Sequence, residues 1–183
     1  MNRTGSESGD RPGPGQIEPH VGFEGLKLPP PVELNRVLSR LPGEIAGPWT
    51  RFANALLSCG TLPPVLRELA ILRTANRRGS DYIVGPHRAI GLHLGLTPDQ
   101  VGLALAPAER FAETSLGSPS EVVVAATDQM LDLGEVDDRI RRLFELAVGR
   151  DLITELAMVI GQYVTVGLIC KSAGLEPEPG FTD

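Results

Sequence analysis

The sequence predicts an all-α bundle, and three observations predict it. From Val32 onward, apolar residues recur at helical spacing in nearly every segment. No segment sustains the period-two alternation that a half-buried strand needs. Most segments open on a capping residue or proline and close on a glycine, the local chemistry of helix ends. The chain has 183 residues, of which 42% are hydrophobic and 22% charged. That is ordinary globular composition, long enough for one domain with a sizeable core.

The elements follow in order. Residues 1–28 are polar and broken by Gly5, Gly9, Pro12, Gly13, Pro14 and Gly15, so they read as a disordered or partner-wrapping tail, and residues 29–183 as a single domain. Pro29, Pro30 and Pro31 make a stiff step into that domain. Val32, Leu34, Val37, Leu38 and Leu41 suggest a first helix, stopped at Pro42-Gly43; Trp49, Phe52, Ala53, Leu56 and Leu57 suggest a second, stopped at Gly60. Thr61-Leu62-Pro63-Pro64 opens a third, closed by Gly79. Ser80 or Asp81 caps a fourth that ends near Gly95, and Thr97-Pro98-Asp99 opens a short fifth. After a loop over 107–120, Ser118-Pro119-Ser120-Glu121 opens a helix closed by Gly134. Another spans 136–148 and closes at Gly149, and a long last helix runs from Asp151 to about Ser172.

Charge and composition narrow the function. A net charge of −6 leaves no excess of lysine and arginine to neutralise phosphates, and aromatics at 4% supply few stacking platforms, so nucleic acid is not the expected partner. Cys59 and Cys170 are far apart and carry no neighbouring ligand at metal spacing; both read as small buried hydrophobes, and no metal site is expected. The start has no apolar leader segment, and the apolar stretch 156–170 reads as too short to span a bilayer. A soluble, cytoplasmic protein without membrane contact is the expectation. Asp132, Glu135, Asp137 and Asp138 read as helix-end solvation, because they lack the spacing of a calcium loop.

Polar residues on apolar faces carry the chemical signal. A helix turns about 100° per residue. On the third helix this sets Arg73 inside the apolar sector of Val65, Leu66, Leu69, Leu72 and Ala75, sets Glu68 at its edge, and turns Arg67, Thr74 and Arg78 to solvent. On the fourth, His87 projects with Ile83, Ile90, Gly91 and Leu94 into the core, and Arg88 points outward. A buried carboxylate must pair, protonate or sit in a wet pocket. Glu68 and His87 therefore either orient two helices by an ion pair or hydrogen bond, or form a pocket suited to proton transfer. Gly161-Gln162-Tyr163 lies in the middle of the apolar last helix. Its amide and phenol need partners, and its glycine allows close approach of another element.

The run Leu62-Pro-Pro-Val-Leu-Arg-Glu-Leu-Ala-Ile-Leu-Arg-Thr-Ala75, followed by Gly79-Ser80-Asp81-Tyr82 and His87, resembles the carboxymuconolactone decarboxylase family, which includes the alkylhydroperoxidase D proteins. Gly95-Leu96-Thr97, Gly161-Gln162-Tyr163 and the ending Gly174 to Gly180 are similar to one branch of it, and the resemblance spans about Val32 to Gly180. The peroxidase members carry Glu-x11-Cys-x2-Cys-x3-His. Here Glu68 and His87 match the outer residues, but Ser80 and Ile83 stand at the cysteine positions, so a thiolate couple is missing. Many members without cysteines have Tyr-Glu-Trp where this chain has Tyr82-Ile83-Val84, and Gly85-Pro86 is a further departure, which could start or kink the fourth helix there. The resemblance implies a helical subunit in a homotrimer or homohexamer. It also implies cofactor-independent lyase or isomerase chemistry on a small carbonyl acid, lactone or biosynthetic intermediate. His87 would be the acid/base and Glu68 its partner, with Tyr82, Ile83, Val84, Gln162 and Tyr163 contacting substrate. A degenerate member that binds a hydrophobic ligand, or serves as an oligomeric scaffold, is the alternative.

Overall fold

The computed structural model describes residues 26, 28–107 and 116–181. Most of the tail assigned to 1–28, and His20 with it, lies outside the described residues, as does much of the loop over 107–120. Among the described residues there are eight helices and no strand: α1 (Val32–Leu38), α2 (Gly43–Ser58), α3 (Pro64–Arg78), α4 (Asp81–His93), α5 (Pro98–Leu105), α6 (Pro119–Leu133), α7 (Asp138–Ala147) and α8 (Leu152–Ser172).

The helix ends follow local chemistry. Thr97 and Ser118 each form a capping box, with Gln100 and Glu121 respectively, and each is followed by a proline whose missing N–H is not needed there. The Asp137 side chain accepts from the Ile140 N–H and starts α7. Gly79 turns α3 into α4 with φ +59°, a left-handed conformation that favours glycine. Two elements differ from the sequence expectation. Helix α1 stops at Leu38, short of the proline at 42, and α2 starts already at Gly43 and runs through Pro48. Helix α4 likewise runs unbroken from Asp81 with Pro86 inside it, so His87 keeps its expected direction.

Helix α3 is the axis of the molecule, packed by α4, α5, α6 and α8. Every residue from Leu66 to Ala75 is buried. This corrects the assignment of Arg67 and Thr74 to solvent: a helix surrounded by neighbours has no wet side along that stretch. Thr74 satisfies its hydroxyl on the Ala70 carbonyl at 2.8 Å. Arg73 donates to both Asp128 oxygens at 2.7 Å, and its Nη1 reaches the carbonyls of Ala104 and Ala106, where α5 ends. Arg77 bridges Asp128 and Asp132 at 2.8 and 2.6 Å. These bonds fasten α3 to α5 and α6.

Two apolar clusters flank α3. One is built around Leu69, Leu72, Val123, Phe144 and Leu156; the other joins Leu34, Leu38, Ile71, Tyr82, Ile83, Val159 and Cys170. Helix α8 is 21 residues long with mean hydropathy 1.7, which is long and apolar enough to cross a membrane. The shorter stretch read from sequence understates it; one side of α8 packs along α3, and 39% of the apolar window is buried. Gly161 on α8 is exposed and meets no other element, contrary to the close approach expected of it. Cys59, expected inside, is exposed at the end of α2, whereas Cys170 is buried and its thiol is pushed up to about 12 by that burial.

At the start of α8, Glu155 reaches back to the turn before α3. It accepts from the Thr61 N–H and hydroxyl at 2.9 and 2.8 Å and from the Leu62 N–H at 3.0 Å. Partial burial works to raise its pKa, but these bonds outweigh it and hold the carboxyl below its ordinary 4.5. A depressed carboxylate stabilises the fold fully above the unfolded value, and that stabilisation is lost as pH falls through the folded value. Glu155→Gln is expected to cost about 1 kcal/mol at neutral pH and to flatten the loss of stability on acidification below the ordinary carboxylate range. Urea titrations at pH 7 and in mild acid check it.

Candidate active site

Glu68 and His87 come from adjacent helices and meet. The Glu68 Oε2 lies 2.7 Å from His87 Nδ1, with Glu68 fully buried and the imidazole 11% exposed. Helix α3 brings the carboxylate and α4 the imidazole. Gly91, one turn beyond His87, makes room for Leu96, whose Cδ1 would lie 2.5 Å from a Cβ there, while the Glu68 Cβ at 3.5 Å would be in ordinary contact. Arg67 Nε donates to the other carboxylate oxygen, Oε1, at 3.3 Å. Glu68 is thus held from two sides, and its bond to Nδ1 leaves Nε2 as the ring nitrogen available to a ligand. Tyr163 of α8 meets the imidazole edge to face, with centroids 4.8 Å apart at 86°. Burial and the Glu68 charge push the Tyr163 phenol well above its ordinary value, so it remains neutral.

His87 stands on the wall of an apolar cavity of about 120 Å³. Ile83, Pro86 and Ile90 of α4, Ala53, Asn54 and Leu57 of α2, and Gln162, Tyr163 and Val166 of α8 form its sides. Both ends of the described chain complete it: Leu28, Pro29 and Pro31 from one, Glu178 and Phe181 from the other. Tyr82 contributes its ring, while its hydroxyl donates to Glu178 at 2.7 Å and accepts from the Leu34 N–H at 3.3 Å. Burial and the neighbouring carboxylate raise the Tyr82 pKa, so this phenol too keeps its proton. Glu178 also accepts from the Glu33 N–H at 2.9 Å, which seats the C-terminal segment against α1. Phe181 packs over Gly85, where a Cβ would stand 2.6 Å from the Phe181 Cβ.

The structure therefore brings His87, Tyr82, Ile83, Gln162 and Tyr163 to one cavity, with Glu68 behind the imidazole. Val84 does not line it; one position on from Ile83, it packs into the two apolar clusters. Neither Cys59 nor Cys170 lines it. Sequence reasoning missed Asn54, Glu178 and Phe181. Asn54 carried a usable signal, an amide beside Leu57 at the edge of the apolar face of α2. Glu178 and Phe181 gave none, since the tail holding them has no period to interpret.

Two side-chain atoms facing this region are unsatisfied. The Gln162 Nε2 and the Asn54 Oδ1 are buried and make no hydrogen bond, and both residues line the cavity. Ser80 Oγ, at the N-cap position of α4, is buried without a partner as well, but lies outside the cavity wall.

Fold and site together define an all-helical protein organised around a buried carboxylate–imidazole pair at an apolar cavity. Residues 43–128 match the carboxymuconolactone decarboxylase family. The match contains Glu68, His87 and the α3–α4 turn between them. No curated protein and no solved structure gives a match.

Proposed function

We propose that the protein is a cofactor-independent enzyme, a lyase or isomerase, that moves a proton on a small carbonyl compound. His87 is the acid/base and Glu68 its partner. One observation carries the reading: the Glu68–His87 hydrogen bond is buried at its carboxylate end and opens onto a cavity at its imidazole end. A carboxylate on Nδ1 fixes the ring and stabilises the imidazolium that forms when Nε2 takes a proton. The apolar walls strengthen that stabilisation by excluding water. The missing thiol at the wall argues against peroxide reduction, since neither cysteine lines the cavity beside His87.

The test is proton exchange in D2O, followed by NMR, on a panel of small ketones, lactones and keto acids. The wild type is expected to speed exchange at the carbon beside the carbonyl, and His87→Gln to slow it by about 10²-fold or more. Equal exchange in the two proteins, with ligand binding retained, would establish the alternative of a non-catalytic ligand-binding member.

A further inference from the structure

Gln162 is 6% exposed, lines the cavity and has no partner for its Nε2. A buried donor left unpaired costs about 1–3 kcal/mol. A bound molecule with a hydrogen-bond acceptor would recover that cost. The Asn54 Oδ1, from α2, is in the same condition and calls for a donor. The charges around the cavity are one-sided. Among the described residues its lining includes the Glu178 carboxylate and the His87 imidazole but no lysine or arginine. Behind the imidazole, Arg67 Nε is bonded to Glu68. An anionic ligand would meet Glu178 without a cation of its own to pair with, a cost that selects against it. A cavity of about 120 Å³ is on the scale that admits a single six-membered ring.

Building on the acid/base reading above, we propose that the site takes a neutral, ring-sized carbonyl compound rather than a carboxylate, and that Gln162 is a catalytic residue whose Nε2–H binds the carbonyl oxygen. The Nε2 of His87 takes the proton from the carbon beside the carbonyl. The C–H electron pair becomes the C=C bond of an enolate, and the C=O pair moves onto the oxygen facing Gln162. The imidazolium, held by Glu68, exchanges its proton with solvent and returns one to the substrate. The returned proton goes to that carbon, or to the γ-carbon when the substrate is β,γ-unsaturated, which gives the conjugated isomer. No carbon dioxide is lost and no redox partner is needed. Asn54 accepts from a hydroxyl or N–H on the far part of the ligand.

The probes are cyclohex-3-en-1-one and its ring-carboxylated analogue at neutral pH, with binding followed by ligand-observed NMR and reaction by deuterium exchange and by ultraviolet absorbance of the conjugated product. The ketone is expected to bind at least tenfold more tightly than the carboxylate. Gln162→Leu is expected to lower exchange about 10²-fold while the melting temperature holds or rises, because an unsatisfied buried donor has been removed. Carboxylate binding equal to or tighter than the ketone's, or an unchanged rate in Gln162→Leu, overturns this inference and leaves the role of His87 standing. A His87→Gln protein as fast as the wild type overturns the acid/base reading instead. Exchange of both probes at the buffer rate overturns both.

Discussion

Arg73→Ala is expected to lower the melting temperature by roughly 10 °C. Arg73 is fully buried, and its guanidinium meets both oxygens of Asp128 and two backbone carbonyls at the end of α5. Removing the cation strands a mostly buried carboxylate and frees two carbonyls. Breaking one partner of a buried pair typically costs about 3–5 kcal/mol. For a chain of this length each kcal/mol is worth roughly 2–4 °C. Arg77 keeps one bond to Asp128 and tempers the loss. Thermal melts of Arg73→Ala, Asp128→Asn and the double variant check it. The double variant should recover part of the loss, because no unpaired charge remains. A fall below about 3 °C in the single variant would remove Arg73 from its place as the tie between α3 and α6.

The second large effect is chemical. Glu68→Gln should slow proton transfer by about 10²–10⁴-fold while leaving ligand affinity within a few fold. The amide oxygen of glutamine can still accept from the Nδ1–H and hold the ring. It carries no charge to stabilise the imidazolium, and it leaves the buried Arg67 without its counter-ion. Comparing the rate of deuterium exchange with the dissociation constant of the same ketone separates the two effects. A rate within twofold of wild type would reduce the pair to a contact that orients α3 and α4.

Sequence reasoning reached the helices and the pair for identifiable reasons. Thr97-Pro98, Ser118-Pro119, Gly79 and Gly134 announce helix ends through chemistry confined to a few neighbouring residues, and all four do so here. Glu68 and His87 were legible because each is a polar residue at a core position of a periodic helix, and such residues need a partner. Arg67 and Thr74 were misplaced because periodicity assumes one wet face, while α3 is enclosed over Leu66 to Ala75. How many neighbours a helix has is a property of the whole fold. The cavity wall escaped for a related reason. Glu178 and Glu33 are 145 positions apart, and nothing local in either segment shows that they will meet.

That distant meeting has a kinetic consequence. Nearly the whole polypeptide lies between the strap of residues Leu175 to Phe181 and the step from Leu28 to Pro31, so closing them carries a large loop entropy and they are expected to form late and open early. Parting these two segments would open the cavity while leaving the central rod and its guanidinium clamp undisturbed.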